Sequence, residues 1–276
     1  MQMILQPVGG VALTIGDGTP WKITKPIQGL ESAPERNTIG DYSGADGGFI
    51  GSQFYSVRNL TIPGAIISSS AVQHAIDRQS LFNALPINTD IAVTIIMPNG
   101  QSYYLLARRT GLVAEQQAPS YSPFKFDIVS ESPYIFDNNS LSVTVAKKAG
   151  GGFVLPVVLP IVFAAGSGPT AINNTGAVKI YPTITVNGSA QNPKISNLTS
   201  GEFVKINVTT ASGDVLVIDM QQRTVKLNGS NILAYRDSTS SWWGLAAGNN
   251  NIEFTTDSGA DTGSAVVAYR PAYVGV

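Results

Sequence analysis

The sequence predicts a mainly β protein of two domains that carries a single helix. Three observations lead there: period-two alternation through most of the chain, one stretch of helical period near residue 80, and 28 Gly and 16 Pro beside a charged fraction of only 13%. At 276 residues, and about 150 residues per domain, the length suits two cores. A hydrophobic fraction of 43% is that of a folded chain and argues against disorder.

The elements follow in order. Residues 11–15, 21–24 and 57–67 alternate as strands do, the last with Leu60, Ile62 and Ile66 on one parity. Residues 31–51 are rich in Gly, Asp, Ser and Asn, and are expected to form a long loop or arm. Ser68, Ser69 and Ser70 supply a helix cap, and Val72, Ala75, Ile76, Phe82 and Leu85 predict an apolar helix face over residues 71–85, ended by Pro86. Strands are expected again at 91–97, 103–108, 124–129 and 141–145. Together these make an N-terminal β-sandwich-like domain, residues 1–149, with one helix and an extended arm. The run Lys147-Lys148-Ala149-Gly150-Gly151-Gly152 reads as a linker. Beyond it, residues 150–276 hold short strands at 178–186, 194–198, 203–209, 215–219, 224–227, 251–255 and 265–269, the spacing of an antiparallel sandwich. Gln221-Gln222 and Asn228-Gly229 are expected turns, as is Gly248-Asn249-Asn250.

Composition narrows the chemistry. Net charge is −1, divided as −1 and 0 about residue 150, so no basic excess exists to grip nucleic acid. The longest apolar run, residues 153–165, is too short to cross a bilayer and is broken by Pro156 and Pro160. Residues 1–10 lack the pattern of a signal peptide, so synthesis in a cytoplasm is expected. With no Cys and one His, cysteine nucleophiles and Cys/His metal centres are excluded by count. His74 has no GxSxG partner and is expected on the helix surface or in packing. Asp257-Ser258-Gly259 and Asp261-Thr262-Gly263 match the short aspartic-protease signature, but both fall in one turn and cannot form a dyad from two lobes. Neither that turn nor residues 41–46 has the spacing of a calcium loop. Asn-x-Ser/Thr sequons, Asn197 among them, follow from composition. Trp242 and Trp243 are candidates for sugar stacking, although in a strand adjacent residues point to opposite sides and at most one serves a given surface. A glycan hydrolase would need two carboxylates about 5–9.5 Å apart, and the acids of the second half are scattered. No catalytic residue, cofactor or metal is assigned.

The order of motifs resembles one family. WKIT at 21–24, DYSGADGG at 41–48, SQFYSVRNLTIPGAI at 52–66 and DRQSLFNAL at 77–85 resemble the distal tail protein of siphophages. So do the proline-punctuated segment 151–163, NNTGAVKIYPTITVNGSAQNPKISNLTSG at 173–201, GDVLVIDMQQRTVKLNG at 213–229 and WWGLAAGNNNIEF at 242–254. The resemblance implies a structural, non-enzymatic virion protein of the phage tail tip or baseplate. Its N-terminal domain would form a hexameric ring about the tail channel, and its C-terminal domain would be a galectin-like or carbohydrate-module-like sandwich. Implied partners are further copies of the chain, the tail tube protein, the tail-associated hub protein and receptor-binding or tail fibre proteins, with no membrane insertion and no sequence-specific nucleic-acid binding. From their positions in the arm and the strand after it, Asp41, Tyr42, Asp46, Phe49, Phe54, Tyr55 and Arg58 are the candidates for ring contacts. A carbohydrate-binding module acting through Trp242 or Trp243 is the alternative, although the second half has no histidine and the galectin sugar site does not carry over.

Overall fold

The computed structural model describes residues 1–148 and 168–276. The glycines at 150–152 and the apolar segment 153–165 lie outside the described residues. The chain divides into two compact units, Met1–Asn139 with Ala272–Val276, and Ser140–Pro271.

The first unit contains β1 (Gln2–Pro7), β2 (Leu13–Gly16), β3 (Trp21–Ile23), β4 (Glu35–Asp41), β5 (Gly48–Tyr55), β6 (Arg58–Ile67), α1 (Ala71–Ala84), β7 (Ile91–Ile96), β8 (Ser102–Ala114), β9 (Tyr121–Ser130) and β10 (Ile135–Asp137). All pairings are antiparallel, in the order β2-β1-β7-β8-β9-β6-β3. The 13-residue β8 serves two neighbours in succession. Residues 102–107 pair with β7 and 108–114 with β9, with a register break between Arg109 and Gly111. Such a break bends a strand and lets one chain belong to two faces. Alternating side chains then close a common core of Met3, Leu5, Ile15, Leu60, Ile62, Leu105 and Phe126. Burial of each Leu, Ile or Phe side chain contributes about 1.5–3 kcal/mol. β1, which is not among the expected strands, is fully part of this core through Met3 and Leu5.

The helix begins where the serines predict: Ser70 Oγ accepts the Gln73 amide hydrogen at 3.2 Å. Its buried face differs from the expected one. Val72 is 75% and Ile76 55% exposed, whereas His74, Asp77, Leu81 and Ala84 are buried. The polar pair is tolerated inside because each group is satisfied. His74 Nε2 meets Ser122 Oγ at 2.8 Å and its Nδ1 meets Ser68 Oγ at 3.3 Å; Asp77 accepts from Ser68 Oγ at 2.6 Å and from Gln73 Nε2 at 2.8 Å. Trp21 Nε1 donates to the Asp77 carbonyl and ties β3 to the same helix.

The second unit contains β11 (Leu141–Ala146), β12 (Thr170–Asn174), β13 (Thr183–Asn187), β14 (Ala190–Gln191), β15 (Lys194–Asn197), β16 (Glu202–Lys205), β17 (Thr209–Thr210), β18 (Val215–Asp219), β19 (Thr224–Leu227), β20 (Ser230–Asn231), β21 (Gly248–Thr255) and β22 (Ser264–Tyr269). They form a six-stranded sheet, β11-β22-β13-β18-β19-β20, a four-stranded sheet, β12-β21-β15-β16, and the pair β14-β17. A short last strand, β23 (Ala272–Tyr273), returns to β10 of the first unit. The glycine run places the division at 149/150, and residues 141–145 in the first domain. Instead β11 pairs along its whole length with β22, from Leu141 opposite Tyr269 to Ala146 opposite Ser264. Alternation identifies that strand, but the sheet it joins is fixed by a partner more than a hundred residues away.

Three buried asparagines organise the second unit. Asn174 Nδ2 donates to the carbonyls of Val178 and Leu245, and Asn197 Nδ2 to that of Gly244. Asn250 Oδ1 accepts from Ala246 N, while its Nδ2 donates to the carbonyls of Ala246 and Gly248. One irregular segment, residues 244–247, is thereby gripped from three strands just before β21 begins. Leu245 bridges Ile180, and the asparagine amides satisfy Gly244 and Ala246 outside any extended ladder. Asn250 belongs to β21 and is fully buried, so only Gly248, at φ +85°, retains the expected turn-like backbone there.

Candidate functional site

The feature of the first unit that its own core does not account for is the arm. Among the described residues, β4 and β5 pair only with each other: Glu35 lies opposite Tyr55, Arg36 opposite Phe54, Ile39 opposite Ile50 and Gly40 opposite Phe49. A register break between Asn37 and Ile39 twists the ribbon. Gly44 and Gly47, both at positive φ, turn the chain at its tip, where Tyr42 N donates to the Gly47 carbonyl. Of the loop or arm expected at 31–51, the structure has the arm, built as a hairpin.

An isolated two-stranded ribbon is marginal in water. This one also presents Ile39, Tyr42, Phe49, Ile50 and Phe54 at 50–72% exposure. Successive strand residues face opposite ways, so Phe49 lies on one side of the ribbon and Ile50 on the other. Phe49 packs over Gly40, where a Cβ would strike its ring, and leans on Tyr42 at 6.4 Å between centroids. Both faces therefore carry apolar surface. No third strand pairs with this ribbon among the described residues, and contiguous exposed apolar surface is a common property of interaction sites in proteins.

The predicted contact residues separate into two groups. Asp41, Tyr42, Asp46, Phe49 and Phe54 are exposed on the arm. Tyr55 sits at its base, half-buried and edge-on to Tyr134 at 6.1 Å. Arg58 does not belong with them: it is fully buried, and its guanidinium donates to the carbonyls of Pro133, Gly29 and Val274. Burial pulls its pKa below the ordinary arginine value, against the opposing charge of Glu31. Ile39 and Ile50, absent from the candidates, are among the most exposed apolar residues of the arm. Their cross-strand pairing is visible in sequence only once the hairpin register is known.

The sugar-stacking pair also separates. Trp243 is fully buried, and no hydrogen-bond partner is present for its Nε1 among the described residues. Trp242 is half-buried, with the Arg236 guanidinium over its ring at 5.3 Å. Trp243 therefore cannot be a stacking platform, and one face of Trp242 is already occupied. The Asp-Ser/Thr-Gly turn is structural too. Asp257 accepts from Asn192 Nδ2 at 2.9 Å beside Lys205, and Asp261 accepts from Gln191 N at 2.8 Å; these bonds hold both carboxyls below the usual carboxylate range. No group of three His, Cys, Asp or Glu capable of holding a metal occurs among the described residues.

Known proteins agree with this picture. Residues 175–273 match the family model described as siphovirus-type tail component, C-terminal domain. Among solved structures, the Dit (gp 19.1) protein of phage SPP1, described as a paradigm of the hub adsorption apparatus in phages infecting Gram-positive bacteria, superposes with a TM-score of 0.70 at 14% identity. That match covers 97% of this chain and 98% of the other. Chains of the phage p2 baseplate in its activated conformation, with Ca or with Sr, superpose with a TM-score of 0.55 at 10% and 11% identity. Each covers 97% of this chain, and 98% and 97% of the phage p2 chains. No curated protein sequence matches. Residues 175–273 thus match the siphovirus-type tail component domain, and the fold over nearly the whole chain is that of the SPP1 Dit protein.

Proposed function

We propose that this structural phage-tail protein assembles through its first unit as a hexameric ring about the tail channel, joining the tail tube to the tail-associated hub and to receptor-binding or fibre proteins. The observation that carries the assembly is the arm, a two-stranded ribbon with apolar side chains on both faces. A closed ring built head to tail needs two different sticky surfaces on each subunit, and a projecting ribbon reaching a neighbour is one way to supply the first. The tail role is supported by the tail-component domain at 175–273 and by the Dit fold over nearly the whole chain. On this reading the protein is made in the host cytoplasm, resides in the virion, and acts during attachment and DNA ejection without catalysis of its own.

Light scattering after size-exclusion chromatography, with negative-stain imaging, tests the reading. Rings of about six subunits are expected, alone or beside a tube or hub partner. A chain that stays monomeric at high concentration in all three settings overturns it.

A further inference from the structure

Residues 272–276 follow the whole of the second unit in sequence yet complete the first. Ala272 is fully buried and, with Tyr273, pairs with Phe136 and Ile135 of β10. The Tyr273 ring stands edge-on to Tyr103 at 5.7 Å. The Val274 carbonyl accepts from buried Arg58. Gly275 lies so close to the Glu31 backbone that any Cβ would collide, and Val276 N donates to the Leu30 carbonyl at 3.0 Å. β10 and β23 thus pair as the two strands of a hairpin, with the second unit in place of its turn.

Arg58 is the centre of this arrangement. A buried guanidinium needs acceptors on every side, and all three of its hydrogen bonds go to backbone carbonyls, from residues 29, 133 and 274. Those segments frame the base of the arm. The chain enters β4 shortly after Gly29–Glu31 and leaves β5 at Tyr55, three residues before Arg58; Ser56 N donates to the Pro34 carbonyl, and Tyr55 packs on Tyr134 beside Pro133.

We infer that residues 272–276 are a clasp that fixes the base of the arm through Arg58, so that a chain gains an assembly-competent arm only after its second unit has been made and the return segment has seated. Arg58 and Val274 are 216 residues apart, and closure over that separation comes late for a growing chain. The assembly half of this inference rests on the proposed ring; the clasp itself does not.

The test is hydrogen exchange with light scattering on the full chain, on a chain stopped after Pro271, and on full-length Gly275→Val, which unseats the clasp without shortening the chain. Both variants are expected to speed exchange of residues 27–34 and 131–137 by about tenfold or more, the effect of a lost hydrogen bond to a charged group. β13 and β18 should keep their protection, and any assembly of the full chain should be lost. Arg58→Met in the stopped chain should narrow the difference, because no unsatisfied cation is then left inside. Unchanged protection of 27–34 and 131–137 in both variants overturns the clasp, as does equal loss in β13 and β18. A full chain that never assembles sinks the ring while the exchange data still decide the clasp.

Discussion

The arm of the first unit and the Asn-gripped segment of the second both set glycines beside large apolar side chains, and they solve opposite problems. In β4–β5 the apolar side chains lie outside and, among the described residues, the strands pair only within their own ribbon. At 244–247 the backbone lies outside the named strands, and Asn174, Asn197 and Asn250 reach in from the sheet to satisfy it while Trp243 and Leu245 are buried. The two segments thus treat apolar side chains in opposite ways. The arm exposes them although it also carries Glu35, Arg36, Asp41 and Asp46; in the second unit neutral amides serve as internal staples, with no ion to desolvate. Asn197 carries this furthest: it heads a sequon, yet it is 1% exposed and unable to accept a glycan in the folded protein.

The contrast breaks most sharply at Asn250. Asn250→Leu removes three hydrogen bonds to the backbone of Ala246 and Gly248 and leaves buried polar groups open, so the second unit should lose about 3 kcal/mol or more. Denaturant unfolding followed by tryptophan fluorescence in a Trp21→Phe background, which leaves Trp242 and Trp243 of the second unit as reporters, reads this. A loss below about 1 kcal/mol would mean that these amides do not hold the segment.

Next is the helix. His74→Leu strands Ser122 in the interior, while Ser68 keeps its bond to Asp77, and should cost about 2 kcal/mol, whereas Val72→Ser, on the exposed face, should stay within about 0.5 kcal/mol. The reverse ranking would restore the apolar face that the sequence predicts.

The arm should respond in a different quantity altogether. Phe49→Ser with Ile50→Ser removes one apolar group from each face of the ribbon, neither of them in the core. Unfolding free energy should move by no more than about 0.5 kcal/mol, while particle mass falls from the assembled state to that of the single chain. A stability loss without a change of mass would make the arm part of the fold rather than of an interface.

Much of the fold is legible in the amino-acid sequence itself. Residues 215–219 and 224–227 are strands with the expected ends, Asn228 and Gly229 turn at positive φ, and Ser70 caps the helix that stops at Pro86. These are local features, written in alternation and turn chemistry. What stays hidden depends on distant partners. Val72 and Ile76 have helical spacing, but the buried face is decided by serines on β9 and before the helix that satisfy His74 and Asp77. Arg58 resembles a surface cation until three carbonyls converge on it. Parity assigns one of Trp242 and Trp243 to the interior without saying which. The same limit applies to the candidate site: position locates the arm, while the hairpin register that exposes Ile39 and Ile50 together comes from pairing.

The smallest effect is set by pH and belongs to the second unit. Four aspartates at its turns titrate below the ordinary carboxylate range, each because the fold donates hydrogen bonds to the ionised form: Asp214 from Ala211 N and Asn228, Asp237 from Thr239, Asp257 from Asn192 and Lys205, and Asp261 from Gln191 N. The unfolded chain then binds these protons more readily than the folded one. Their contribution is complete above the unfolded value of about 3.9 and is lost as pH falls through the lower folded values. All four are solvated, so the slope should be shallow and should weaken with added salt. Urea midpoints of the Trp242 and Trp243 signal, in the same Trp21→Phe background, at pH 6, 4 and 3 should decline together with acidity, and Asp257→Asn with Asp261→Asn should flatten the decline. A midpoint that holds steady to pH 3 would show that these turns are kept by the neutral asparagine staples and the apolar core alone.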